Sequence, residues 1–295
     1  MSSKWALVLS GGGGNGIAHV GALKAFEKMG YIPDLIVGTS IGAIIGSTYA
    51  SGKAVSSMED FLVNEFSLAN YLEGLTFKLS GGPLVRYLQA QEAVNTLLIN
   101  PGMDSGKRVL KLLKALTHNA DFEDLDIPFV CNATDLRTGK EVVLDSGNVA
   151  ESVRASLCFP GLFHPVEKDG MLLVDGTVVN NLPVSVAHKR GFKKVIAIDV
   201  APFQFGREIE VTNGLTVFFR AFTIASELAG LNIREQASLR IETWDGNNSF
   251  DFTNIQGLID LGERTVQTHE NKIRRLLEPG VKKLKYIFPK LSFLK

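Results

Sequence analysis

Apolar and polar positions alternate along the chain in blocks that read as strands and helices in turn. Trp5 to Leu9 is a short apolar run that reads as a first buried strand. It runs into a glycine-rich loop, Ser10 to Gly16. Apolar residues then recur at helical spacing (Ile17, Val20, Leu23, Ala25, Phe26, Met29) until Gly30 and Pro33 stop the pattern. A second apolar run, Leu35 to Val37, breaks at Gly38-Thr39-Ser40-Ile41-Gly42, and an uncharged segment of small and apolar residues continues to Ala50 as a buried helix. Residues 35–52 carry no charge, which approaches the length of a membrane span. The glycines, serines and threonines inside that stretch fit a buried strand, turn and helix better than a bilayer helix.

From 54 to 120 the pattern turns amphipathic, over Met58–Phe66, Leu84–Leu98 and Arg108–Leu116, with Gly81-Gly82-Pro83 and Asn100-Pro101-Gly102 as separators. This predicts a helical insertion over the sheet edge, either facing substrate or plainly structural. Ile127 to Asp145 predicts two strands around a turn at Arg137–Lys140, followed by a helix from Asn148 to Leu157. An irregular loop is expected from Cys158 to Pro165, then a short strand, Met171–Val174, ending in Asp175-Gly176. A helix starts near Asn180–Pro183 and a buried strand covers Lys194–Val200. One long helix or two is expected over Asn213–Arg240, a last strand at Ile241–Trp244, and a last amphipathic helix over Ile255–Leu277. Strands alternating with helices predict an α/β sheet, mainly parallel. No internal repeat or low-complexity linker divides the chain, so one domain is expected over 1–280, with a basic and apolar tail over 281–295.

The chain has 295 residues and no net charge, so no global field points to nucleic acid. Two cysteines, Cys131 and Cys158, make neither a disulfide framework nor a metal-ligand spacing. Two reduced core thiols are expected, which fits a reducing, cytoplasmic setting. The N-terminus lacks the long apolar stretch of a secretory signal. The tail 281–295 carries five lysines, no acid and interleaved apolar residues. It reads either as a peripheral contact with an anionic membrane face or as a terminal segment packed on the domain.

Gly38-x-Ser40-x-Gly42 between a strand and a helix is a nucleophile-elbow pattern: the serine sits on a sharp turn and its neighbours two places away must be small. Ser40 is the candidate nucleophile, and Gly38 and Gly42 make room for it. The glycine loop joins the first strand to a helix N-terminus, where free backbone N–H groups favour negative charge. Gly12, Gly13 and Gly14 are therefore candidate oxyanion-hole donors. Gly11, Gly13 and Gly16 also match a dinucleotide fingerprint, but the acid that reading needs at the end of the second strand is replaced by the Ser40 elbow. No cofactor or metal is expected. Asp175, at a strand end before glycine, is placed to point into a cleft. His188 and His269 follow Asp175 in the order of a Ser–Asp–His triad, although both fall where surface residues are expected. His19 reads as structural, His164 as lining the cleft or packing, and His118 as a solvated loop residue.

Four blocks in order, SGGGGNGIAHVG, GTSIG, ASLCFPGLFHP and VDGTVVNNLP, resemble those of the patatin-like phospholipases over roughly residues 5–200. The soluble bacterial members, akin to the catalytic domain of neuropathy target esterase, look most similar. The resemblance implies a three-layer α/β/α sandwich around a mainly parallel sheet, and hydrolysis of fatty-acyl esters of (lyso)phospholipids or related lipids by a Ser40–Asp175 dyad without metal. The alternative is a non-catalytic lipid-binding or scaffolding relative. Burial is expected to raise the pKa of Asp175 and improve it as a base. Two positions depart from the family pattern: Asn15 stands where a cation is usual, and Thr177 where glycine or alanine is usual.

Overall fold

In the computed structural model, residues 4–72, 92–93, 95–203, 214–231, 236–244 and 252–278 are described. Most of the segment expected as a helix over Leu84–Leu98, and the tail 281–295, lie outside them. The elements in chain order are β1 (Ala6–Leu9), α1 (Ala18–Lys28), β2 (Leu35–Gly38), α2 (Ile41–Ala50), α3 (Val55–Asn64), α4 (Leu68–Tyr71), β3 (Gly102–Asp104) and α5 (Lys107–Leu116). They continue with β4 (Phe129–Asp135), β5 (Lys140–Leu144), α6 (Val149–Ser156), β6 (Gly161–Phe163), β7 (Val166–Lys168), β8 (Met171–Asp175), α7 (Val184–Lys189) and β9 (Val195–Asp199). The last are α8 (Gly214–Leu231), β10 (Leu239–Glu242), α9 (Ile255–Thr268) and α10 (Glu270–Leu277).

The main sheet runs β10-β9-β1-β2-β4-β8-β7, with β5 also paired to β4. From β10 to β4 the strands are parallel; β5 and β8 run antiparallel to β4, and β7 to β8. The central strands read as unbroken apolar runs because both of their faces are buried. Leu7, Leu9 and Ile36 enter one core with residues of α1, α2, α6, α9 and α10. Ala6, Val8, Leu35 and Val37 face the other, where Val184, Val186 and Ala187 of α7 cover them. Helices thus flank both faces of the sheet, and the uncharged stretch 35–52 is β2, a turn and α2. No helix among the described residues is long and apolar enough to cross a membrane.

One detail of register positions the site. β2 ends at Gly38, opposite Cys131 of β4, but β4 continues past it to Asp135. β8 runs back along this overhang, with Leu173 opposite Asp135, and stops with Asp175 opposite Ala133. An antiparallel strand therefore delivers its last residue to the edge where the parallel strands end.

Several boundaries differ from expectation. The expected irregular loop ending at Pro165 contains β6, with β7 directly after it, and β6 pairs with β3 in a small parallel sheet that no apolar run announced. Of the one long helix or two expected over Asn213–Arg240, the described residues include α8 over Gly214–Leu231, and a strand begins at Leu239 rather than Ile241. Pairing with β9 decides this boundary, aided by Arg240, whose guanidinium lies 2.5 Å from Asp199. The last helix is two, broken at His269, which closes α9 and precedes α10.

Candidate active site

Ser40 lies between the end of β2 and the start of α2 with φ 52 and ψ −120. A positive φ in a residue with a side chain costs on the order of 1–3 kcal/mol, so the surroundings must enforce it. They do so by close approach. A Cβ on Gly42 would stand 2.4 Å from the Leu9 carbonyl oxygen, and one on Gly38 2.6 Å from Ala43 Cα. The backbone N–H of Ser40 donates to Ser156 Oγ at 3.0 Å, and that of Thr39 to the Leu9 carbonyl at 3.1 Å.

Ser40 Oγ donates to Asp175 Oδ2 at 2.6 Å. Asp175 is completely buried. Its other oxygen, Oδ1, accepts the Thr177 N–H at 2.8 Å, its carbonyl accepts from Thr134 Oγ1 at 3.0 Å, and its N–H donates to the Cys158 carbonyl at 2.9 Å. Burial pushes the Asp175 carboxyl up to about 6, against the hydrogen bonds from Ser40 and Thr177 that favour its charged form. The neighbouring Cys158 thiol is itself pushed up by burial, as is that of Cys131, so both free cysteines stay protonated.

The glycine loop passes beside the elbow: a Cβ on Gly11 would stand 3.2 Å from Ser40 Cβ. A short 3₁₀ helix, Gly13–Ile17, begins there, with Gly13 at φ 57. Its opening turn leaves the N–H groups of Gly12, Gly13 and Gly14 without intrahelical acceptors. The loop is clamped from three sides. Ser10 Oγ accepts the Val200 N–H at 3.0 Å, the Ser10 carbonyl lies 2.9 Å from His19 Nε2, and Gly11 bonds Asn181 through both its N–H and its carbonyl. A carbonyl can only accept, so His19 Nε2 carries the proton. Burial pulls the His19 pKa down to about 4, partly opposed by that bond, and keeps the ring neutral. Asn15 is buried within this first turn. Thr177 narrows the other side, its methyl 2.5 Å from where a Cβ on Gly11 would stand.

The histidines of the triad alternative point elsewhere. His188 bonds the Phe192 and Gln236 carbonyls, and His269 the Thr265 carbonyl at the end of α9. His164 contributes its backbone oxygen, which accepts from Arg154 and Cys158. α8 leans on the loops around the site: Ser226 Oγ donates to the Thr177 carbonyl, and the Phe222 ring meets Phe159 edge-on at 5.5 Å. Val217, Phe218, Ile224 and Leu228 of the same helix are exposed.

The structure brings Ser40, Asp175 and the glycine loop together. Thr39, Asn132, Thr134, Ser156 and Asn181, which hold these groups in place, were not singled out from sequence. Thr39, Ser156 and Asn181 do fall inside three of the four recognisable blocks, so a signal existed for them.

The description "patatin-like phospholipase" belongs to the family model that matches residues 7–188. Lysophospholipase NTE1 of Mycosarcoma maydis is 35% identical over 198 residues, which is 66% of this chain and 9% of that protein. Human patatin-like phospholipase domain-containing protein 6 is 33% identical over 201 residues, again 66% of this chain and 13% of that protein. The chain spans about a tenth of the length of these curated relatives. Among solved structures, VipD from Legionella pneumophila superposes with a TM-score of 0.52 at 15% identity, covering 90% of this chain and 66% of that one. Human GIVD cytosolic phospholipase A2 gives 0.50 at 10% identity, covering 96% and 60%. At these identities the two structures speak for the fold alone.

Proposed function

Because the chain belongs to the patatin-like phospholipase family, we propose that it is a lipid acyl ester hydrolase in which Ser40 and Asp175 form the catalytic dyad. The observation that carries this reading is the 2.6 Å contact from Ser40 Oγ to a buried carboxylate, made by a serine held on a strained elbow. Asp175 takes the hydroxyl proton as Ser40 Oγ bonds to the acyl carbon. The carbonyl oxygen becomes an oxyanion within reach of the Gly12–Gly14 N–H groups, each such donor being worth on the order of 3 kcal/mol. As the oxyanion collapses, the bond to the alcohol breaks and Asp175 returns the proton to the departing oxygen. A water then gives its proton to Asp175 and attacks the acyl-enzyme. The fatty acid leaves and Ser40 is restored.

A carboxylate of ordinary pKa is a weak base for a serine hydroxyl; one raised to about 6 is stronger yet still ionised at neutral pH. The substrate class, fatty-acyl esters of lysophospholipids and phospholipids, is supported by the family and by the named lysophospholipase relative. Labelling with a fluorophosphonate tests the reading. Adduct at Ser40 in the wild type, lost in Ser40→Ala, together with fatty acid released from lysophosphatidylcholine micelles, is the expected result. A folded protein that neither labels nor hydrolyses in the presence of micelles would be a non-catalytic lipid binder instead.

A further inference from the structure

The nucleophile and the base sit on strands that do not touch. β2 leads into Ser40, β8 ends at Asp175, and β4 lies between them. On β4, Cys131 is level with the end of β2 and Ala133 with Asp175. Asn132 stands between those two levels and is completely buried.

Its amide makes contacts in both directions. Oδ1 accepts the hydroxyl of Thr39, the residue before the nucleophile, at 2.8 Å. The same oxygen lies 2.4 Å from where a Cβ on Gly176, the residue after the base, would stand. Nδ2 donates to the Asn180 carbonyl and to Glu141 Oε1, both at 2.9 Å, and Asn180 Nδ2 donates to that same Oε1 at 2.9 Å. Because the Asn180 carbonyl and the Glu141 carboxylate can only accept, the amide has one orientation. Asparagine is disfavoured in strands, and a buried polar network at such a position needs every partner in place. Two positions earlier on the same strand, Val130 meets the packing need with carbon alone.

We propose that Asn132, anchored by Glu141, is a positioning residue that sets the separation of Ser40 and Asp175, through Thr39 on one side and the turn after Asp175 on the other. This rests on the dyad reading above. Asn132 touches no substrate, and its effect is on the alignment of the proton transfer.

Thr39→Val removes the bond to Asn132 while keeping size and branching; Thr39→Ser keeps the hydroxyl and serves as the rescue. In Thr39→Val, kcat on a soluble p-nitrophenyl acyl ester is expected to fall ~10–100-fold with KM nearly unchanged, as a displacement of under 1 Å produces. Thr39→Ser is expected to stay near the wild type. The acid limb of kcat/KM should move to higher pH in Thr39→Val, because Asp175 loses the Ser40 bond that favours its charged form. Cys158, the titratable side chain coupled to Asp175, remains neutral across that range. Asn132→Leu should reproduce the loss; if it fails to fold, Thr39→Val decides alone. Crystal structures of the variants read the geometry independently of turnover. A Ser40–Asp175 separation beyond ~3.5 Å, no longer a hydrogen bond, is expected. A folded Thr39→Val with wild-type kcat, or with the 2.6 Å contact intact, overturns the proposal. Failure of the wild type itself to hydrolyse or label would overturn the hydrolase reading instead, and the distance would still decide this one.

Discussion

Asp175 assigns its two oxygens different tasks. Oδ1 is held by the Thr177 N–H and Oδ2 faces the serine. An Asp175→Asn side chain can keep the first bond, but its amide cannot take the serine proton. The expected outcome is a folded protein with turnover down at least ~1,000-fold, as for loss of a general base. In the wild type, kcat/KM on a soluble ester should fall on the acid side with an apparent pKa near 6, since only the ionised carboxylate accepts the proton. A limb near 4 would mean that Asp175 titrates as an ordinary carboxylate. Ser40, Asp175 and the glycines could be read from sequence because each comes inside a contiguous block whose spacing has a steric reason. Asn132 and Thr134, outside those blocks, could not, and Thr39, inside one, bears no sign of its partner. Their bonds reach residues 93, 48 and 41 positions away, with only Glu141 close to Asn132 in sequence, and a polar residue in or beside a strand carries no mark of whether it faces water or a network.

At the level of elements, the sequence pattern located β1, β2, α2, β4, β5, α6 and β9 closely, because glycine and proline punctuate their ends. It was weakest where a strand is three residues long or where an edge pairing overrides a helical period, as at β3, β6 and β10. It also held no cue to the most intimate contact between helices, that of α1 with α9. There a Cβ on Gly21 would stand 1.8 Å from the Ile259 carbonyl, and one on Gly262 1.9 Å from the Ala18 carbonyl. The two backbones meet where neither helix carries a side chain. Gly262→Ala raises helix propensity by ~1 kcal/mol. It must nonetheless push α9 away from α1, and overpacking of this kind costs ~1–3 kcal/mol or more. A lower urea midpoint is therefore expected, with kcat near wild type at temperatures where the protein stays folded. Unchanged or increased stability would mean that α9 can shift without loss.

For the whole molecule, acidic and basic residues balance at 31 each, so pH dependence near neutrality falls to individual buried groups rather than to overall repulsion. Two such groups act with opposite sign. Asp175 has its pKa raised from 3.8 to about 6. The folded state therefore holds the extra proton in that window, and stability falls as pH rises, by about 3 kcal/mol in all. His19 has its pKa lowered from 6.5 to about 4. There the unfolded state holds the extra proton, and stability rises with pH by about as much, ~3 kcal/mol. The two slopes overlap between pH 4 and 6 and largely cancel. Salt-bridged Glu59 and hydrogen-bonded Asp135, both lowered, add a further rise with pH that is common to wild type and variant alike. Removing the Asp175 charge should expose the His19 slope. Asp175→Asn is expected to exceed the wild type by about 3 kcal/mol at pH 7.5, to lose that advantage progressively below pH 6, and to match it below pH 4. The active-site carboxylate would then be a standing cost to the fold, borne for the sake of a stronger base. Thermal melts of both proteins from pH 4 to 7.5 measure this directly. A variant less stable than the wild type at pH 7.5 would show that the bonds from Ser40 and Thr177 outweigh the burial of Asp175.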